Sequence, residues 1–179
     1  NSDNMILKRS RYRHLFFDLD NTLWDFNRNS GDAMVETFRK YQLDESGFDL
    51  FFTTYNRHND RLWEIYRNNG ITKQELTRQR FDLTFQEVGI HGIDPLAFNN
   101  TYLELMPLQT HLCEGAVEVL GKLSGKYRMH IITNGFSEVQ YKKMANSGLA
   151  PFFERIFVSE EIKSPKPSPG IFRHALKSC

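Results

Sequence analysis

Cysteine is scarce. The 179-residue chain has two, Cys113 and Cys179, with no C-x-x-C pair and no His/Cys spacing of a zinc module. That excludes a disulfide framework and leaves a reduced, cytoplasmic setting as the expectation. Long apolar runs are also missing. Nothing approaches the roughly 20 residues of a membrane span, and no charged-then-apolar-then-small leader is present, so no membrane partner is expected. An excess of one charge is absent too. Twenty-three Lys and Arg against 22 Asp and Glu leave a net charge of +1, too little to draw the chain to a nucleic acid polymer. The local basic run Lys8, Arg9, Arg11, Arg13 reads as a solvated lead-in. Residues 1–4 precede the first Met and stand outside the fold argument. There is no internal repeat and no low-complexity segment. With 40% hydrophobic and 25% charged residues, what remains is an ordinary globular chain of one domain, or one domain with an insertion.

The informative stretch is Asp18-Leu19-Asp20-Asn21-Thr22, directly behind Leu15-Phe16-Phe17. Three apolar residues before a polar turn predict a short buried strand of a parallel sheet. Asp18 then emerges at a strand's carboxyl end, where open α/β sheets place ligands. A carboxylate there can act as a covalent nucleophile, and a second within reach, Asp20, can serve as acid and base. An acidic turn is the plainer alternative. A calcium loop fails, because Leu23 stands where Gly is needed and Asn29 where Glu is needed.

From Asp25 to Leu108 only helical signals occur. Met34, Phe38 and Tyr41 share one spacing, and Phe51, Tyr55, Leu62 and Ile65 another. Thr72 with Glu75 is a capping box for a third helix that stops at Gly89, and Asp94-Pro95 opens a fourth that runs to Met106. Beyond residue 108 strands return. A helix from Gly115 to Leu123 precedes a strand over Met129–Ile132 that ends in Thr133-Asn134-Gly135. Ser137 with Gln140 reads as another capping box, and Ile156-Phe157-Val158 as a third strand. Lys163 to Pro167 forms a loop, and Ser168-Pro169 opens a last helix. Alternating strands and helices imply parallel pairing with right-handed crossovers. The predicted fold is α/β: a Rossmann-like parallel-sheet core from residues 1–24 plus 109–179, with residues 25–108 inserted as a four-helix-bundle lid or cap.

This topology gathers the Asp18 turn, Thr133 and Lys166 on one edge. Thr133 offers a hydroxyl, the Asn134 and Gly135 amides lie near a helix start, and Lys166 is a point charge suited to phosphate. At an effective dielectric of about 20, two like charges about 4 Å apart repel by roughly 4 kcal/mol. A phosphate dianion approaching Asp18 meets that more than once over, so a divalent cation is expected. Mg²⁺ suits an oxygen shell of the Asp18 carboxylate, the Asp20 backbone carbonyl and a further acidic group.

Together these stretches resemble the haloacid dehalogenase superfamily of aspartate-nucleophile phosphohydrolases. Asp18 to Thr22 match its first motif, Ile131 to Gly135 its second, and Lys166-Pro167 followed by Ile171-Phe172 its third. The resemblance implies that Asp18 forms an aspartyl-phosphate and that Asp20 protonates the leaving alcohol and then activates water. Thr133, Asn134 and Lys166 would hold the phosphate. The wording of Asp18 to Phe26, Thr133 to Phe136, Ser147-Gly148-Leu149 and Ser159-Glu160-Glu161 looks like the 5′-nucleotidases that act on pyrimidine nucleoside monophosphates. Phosphoglycolate phosphatases share much of it. The family's fourth motif, an acidic pair after a further strand, has no counterpart before Cys179. The expectation is therefore a fragment that lacks the core's C-terminal strands and one acidic metal ligand, and that binds Mg²⁺ poorly. Other readings are a sugar-phosphate phosphatase, a phosphomutase, a 2-haloacid dehalogenase, a non-catalytic binding protein and a glycosidase. Trp63, Tyr66, Phe81 and Phe85 are expected in the bundle core, and Trp24 and Phe26 on the substrate side.

Overall fold

A computed structural model describes residues 12–179. Residues 1–4 and Lys8, Arg9 and Arg11 of the basic run lie outside them. Three strands, β1 (His14–Phe17), β2 (Arg128–Thr133) and β3 (Arg155–Val158), form a parallel sheet in the order β1-β2-β3. Phe17 aligns with Ile131, and Thr133 with Val158, so the carboxyl ends share one edge. Alternate residues of β2 serve opposite faces. Met129 and Ile131 join the cluster of Leu120 and Val139, while Ile132 joins Phe157, Ile171 and Ala175 on the other side.

Between β1 and β2 the chain makes four long helices: α1 (Phe26–Lys40), α2 (Phe48–Arg67), α3 (Lys73–Val88) and α4 (Pro95–Leu105). Each start has a local cause. Asp25 caps α1, Thr72 and Glu75 make the reciprocal capping box of α3, and Asp94 caps α4 ahead of Pro95. Gly89 ends α3 in the left-handed conformation, at φ 78°. Phe38, Phe51, Phe81, Phe98 and Tyr102 are each at most 2% exposed. Burying each such ring contributes about 1.5–3 kcal/mol. Phe81 and Phe85 belong to this core, as expected.

The entry and exit of this helical segment run side by side. The Asp25 amide donates to His111 O at 3.0 Å, and the Cys113 amide to Leu23 O at 2.9 Å. The Asn29 side chain both donates to and accepts from the His111 main chain, at 2.8 and 3.1 Å. Both ends of the segment are thereby fixed at the Asp18 edge of the sheet.

Helices α5 (Ala116–Leu123), α6 (Ser137–Asn146), α7 (Ser159–Ile162) and α8 (Pro169–Ser178) complete the described residues. Four details depart from the sequence expectations. α4 stops at Leu105, and Met106–Leu108 tightens into a 3₁₀ turn that accommodates Pro107. The single-turn α7 had no local signal. Ser168 does not cap α8 with its side chain; its hydroxyl accepts from Ser164 at 3.1 Å. Ser137 and Gln140 do not form a capping box, because Ser137 is already helical and Gln140 is drawn elsewhere.

Candidate active site

Asp18 follows the last residue of β1, and its chain turns at once. The amides of Thr22, Leu23 and Trp24 all return to Leu19 O, at 3.3, 2.9 and 3.0 Å. Asn21 takes the left-handed conformation, φ 56°, which asparagine tolerates. Trp24 bonds the residues on either side of Asp20, so the Asp20 carbonyl points away from that pairing.

Lys166 reaches across from the loop before α8. Its Nζ donates to Asp18 Oδ1 at 2.6 Å and to Ile132 O at 2.9 Å. Asn134 places that loop. Its Oδ1 accepts from the Lys166 amide at 2.8 Å and its Nδ2 donates to Lys166 O at 3.0 Å. The Asn134 side chain is thus engaged in holding Lys166, and its backbone amide is the group left for an anion.

The Asp20 carboxylate is held at both oxygens. Gln140 Nε2 donates to Oδ2 at 2.9 Å, and Lys143 Nζ to Oδ1 at 2.8 Å. Gln140 Nε2 also donates to Thr133 Oγ1 at 2.7 Å, which leaves the threonine hydroxyl hydrogen to donate. Gly135 makes room for this, since a Cβ there would lie 2.3 Å from Gln140 Cδ. The Lys143 side chain is 2% exposed, with its ammonium 4.1 Å from the Trp24 ring centroid. Burial pushes its pKa down from the ordinary lysine value, against the pull of Asp20.

Asp18, Asp20, Thr133, Asn134 and Lys166 are therefore all brought together. Gln140 and Lys143 were missed. Val139, Gln140, Lys143 and Met144 share one buried helical face, and two polar residues on such a face were the available signal. Lys143 also changes the electrostatics, because two lysines, not one, offset the two aspartates.

For a metal, the edge offers hard oxygen donors: the Asp18 carboxylate and the Asp20 carbonyl. Mg²⁺ commonly takes one or two carboxylates and completes its shell with phosphate and water, so this donor set fits it. Among the described residues, the grouping of three His, Cys, Asp or Glu with ligand atoms within 4.8 Å is His14, His130 and Cys179. It lies away from the Asp18 edge, and its imidazoles already bond each other at 2.9 Å.

A cleft of about 520 Å³ opens from Asp18 between α6 and the helical insertion. Tyr55, Asn59, Trp63 and Arg67, each four residues apart on α2, line it together with Phe26 and Arg80. Trp63 stacks on Phe136, with centroids 4.9 Å apart. Two aromatic assignments thus change. Trp63 faces the cleft, because α2 turns this stripe inward, whereas Trp24 is fully buried beneath Lys143. Phe26 does line the cleft.

The family model of haloacid dehalogenase-like hydrolases matches residues 12–179. The chain belongs to this family. It is 30% identical over 167 residues to the HAD-hydrolase YfnB of Bacillus subtilis, covering 93% of this chain and 70% of YfnB. The crystal structure of YfnB bound to magnesium superposes with a TM-score of 0.86 over 94% of this chain and 74% of that one. The pyrimidine 5′-nucleotidase YjjG of Escherichia coli is 31% identical over 165 residues, 92% of this chain and 70% of its own. The pyrimidine 5′-nucleotidase PynA of Streptococcus pneumoniae is 30% identical over 157 residues, 87% and 65% respectively. The family resemblance carried by the three motifs stands, as does the parallel α/β fold.

Proposed function

We propose that this chain carries a Mg²⁺-dependent phosphomonoester hydrolase that works through an aspartyl-phosphate and acts as a 5′-nucleotidase on pyrimidine nucleoside monophosphates. Residues 1–24 plus 109–179 serve as the catalytic core and residues 25–108 as the cap. The observation that carries this reading is the pair of lysine-held aspartates, Asp18 on Lys166 and Asp20 on Lys143, at the mouth of a cleft large enough for a small metabolite. YfnB, YjjG and PynA support it by similarity. No helix among the described residues is long and apolar enough to cross a membrane, and a cytoplasmic setting suits a nucleotide substrate.

Asp18, half exposed, attacks phosphorus; the bond to the leaving 5′-oxygen breaks as the acyl phosphate forms. Lys166, Thr133 and the Asn134 amide bind the phosphoryl oxygens as charge redistributes. Asp20, oriented by Gln140 and Lys143, gives a proton to the leaving oxygen. It then takes one from the water that attacks phosphorus, releasing inorganic phosphate and restoring Asp18. The Asp18 carboxylate and the Asp20 carbonyl would hold a magnesium ion, which would supply charge neutralisation for a phosphate dianion beside Asp18.

The test is phosphate release in Mg²⁺ over a panel of pyrimidine and purine monophosphates, phosphoglycolate and sugar phosphates. The expected profile is strongest on pyrimidine monophosphates and at least about a thousandfold weaker in Asp18→Asn. Turnover of phosphoglycolate or sugar phosphates alone overturns the substrate. Retention of activity by Asp18→Asn overturns the nucleophile.

A further inference from the structure

The cleft-facing stripe of α2 has a chemical order. Arg67 lies at one end, sharing a recess with Trp63, Asn134 and Lys163. Trp63 follows as a flat aromatic wall, then Asn59, then Tyr55. Arg67 and Asn59 are eight residues apart, about 12 Å along a helix axis. Cation, aromatic face and polar head thus succeed one another over a span that suits a phosphate, a sugar and a base.

Asn59 has its orientation dictated. Its Oδ1 accepts from Arg80 Nη1 at 3.1 Å and from the Tyr55 hydroxyl at 3.4 Å. A guanidinium only donates, so the amide atom facing it must be the oxygen. Nδ2 is therefore turned away from Arg80, with both hydrogens unused among the described residues, on a side chain that lines the cleft. Arg80 is 3% exposed and no carboxylate among the described residues lies within 4.0 Å of it. Its Nε and Nη2 go to Asn99 Oδ1, again a neutral oxygen. A buried cation drawing on the Asn59 carbonyl polarises that amide and strengthens Nδ2 as a donor.

We infer that Asn59, oriented by Arg80, selects the leaving group by donating a hydrogen bond to a ring carbonyl oxygen of a pyrimidine base. The inference rests on the nucleotidase reading above and names the group that reads the base. A donor requires an acceptor. Uracil, thymine and cytosine all carry a carbonyl oxygen beside the glycosidic nitrogen, and adenine carries none anywhere. Asp60, on the cleft wall beside Asn59, disfavours a carboxylate in the same place. Trp63 and Phe26 supply apolar faces for the base.

The experiment compares kcat/KM for UMP and for ribose 5-phosphate, which carries a hydroxyl at C1 where UMP carries uracil, in the parent protein, Asn59→Asp and Asn59→Ser. Asn59→Asp keeps an acceptor for Arg80 but loses the donor. Asn59→Ser covers the case in which the aspartate variant does not fold. The expected result is a parent that prefers UMP and variants in which that preference falls at least about tenfold. Because the measure is a ratio, a general loss of activity cancels. A preference unchanged in both variants overturns the role of Asn59 and leaves the nucleotidase reading intact. A parent with no preference for UMP overturns both, and it shows in the parent alone.

Discussion

One nitrogen of Gln140 supports two groups of the site, since its two hydrogens reach Asp20 and Thr133. Gln140→Leu keeps the volume and removes both bonds, leaving Asp20 held by Lys143 alone. The expected outcome is a fall in kcat of roughly 10- to 100-fold with a small change in melting temperature; an unchanged kcat removes Gln140 from the positioning role. The sequence concealed this residue for a physical reason. Ser137-x-x-Gln140 matches a capping box, a purely local pattern. The Ser137 amide is instead taken by Glu160, 23 positions away, at 2.9 Å. That distant carboxylate frees Gln140 to turn toward Asp20. Lys143 escaped notice because lysine is almost never fully buried without a partner, and its partner lies 123 positions away. Asp18 and Thr133 were legible because each is the first polar residue at the end of an apolar run.

At the level of elements, the first turn of α3 joins the helical insertion to the core. Lys73 Nζ lies 2.9 Å from Glu138 of α6 and 2.7 Å from Glu160 of α7. Burial favours neutral Glu160, but Lys73 and the Ser137 amide outweigh it and hold its pKa below the ordinary value. Lys73 shows the converse. Burial works to lower its pKa, and the two glutamates raise it on balance. Both shifts give the sign of the pH dependence. The contribution is present between the ordinary Glu and Lys values, about 4.3 and 10.4. It is lost as pH falls through the lowered Glu160 value or rises through the raised Lys73 value. Thermal unfolding of Glu160→Gln should therefore lie below the parent near neutrality and converge with it in acid. Parallel curves down to the lowest pH would remove Glu160 from this junction. The capping box of α3 was legible because Thr72 and Glu75 are three residues apart; the partners of Lys73 are 65 and 87 positions away, beyond any local pattern.

Across the whole molecule, the parallel direction of the strands followed from elementary rules, while their order β1-β2-β3 came from the structure. Short apolar runs separated by helices pair in parallel, and parallel pairing brings their carboxyl ends to one edge. The inward stripe of α2 was harder to read, because Tyr55, Asn59, Trp63 and Arg67 mix apolar and polar types on one face. Among the described residues the Asp18 edge offers a metal one carboxylate and one main-chain carbonyl, which leaves substrate phosphate and water as further ligands. Calorimetry should accordingly show weak Mg²⁺ uptake by this chain alone and tighter uptake with orthovanadate present. Tight, stoichiometric uptake without the anion would mean a fuller ligand set. The two tryptophans add a consequence of another kind. Trp24 is sealed in the interior while Trp63 stacks on Phe136 across the cleft. The chain therefore carries its own pair of dyes, one a steady background and the other placed where an occupant of the cleft alters its surroundings. Emission from Trp63 can report a ligand entering the cleft with no label attached.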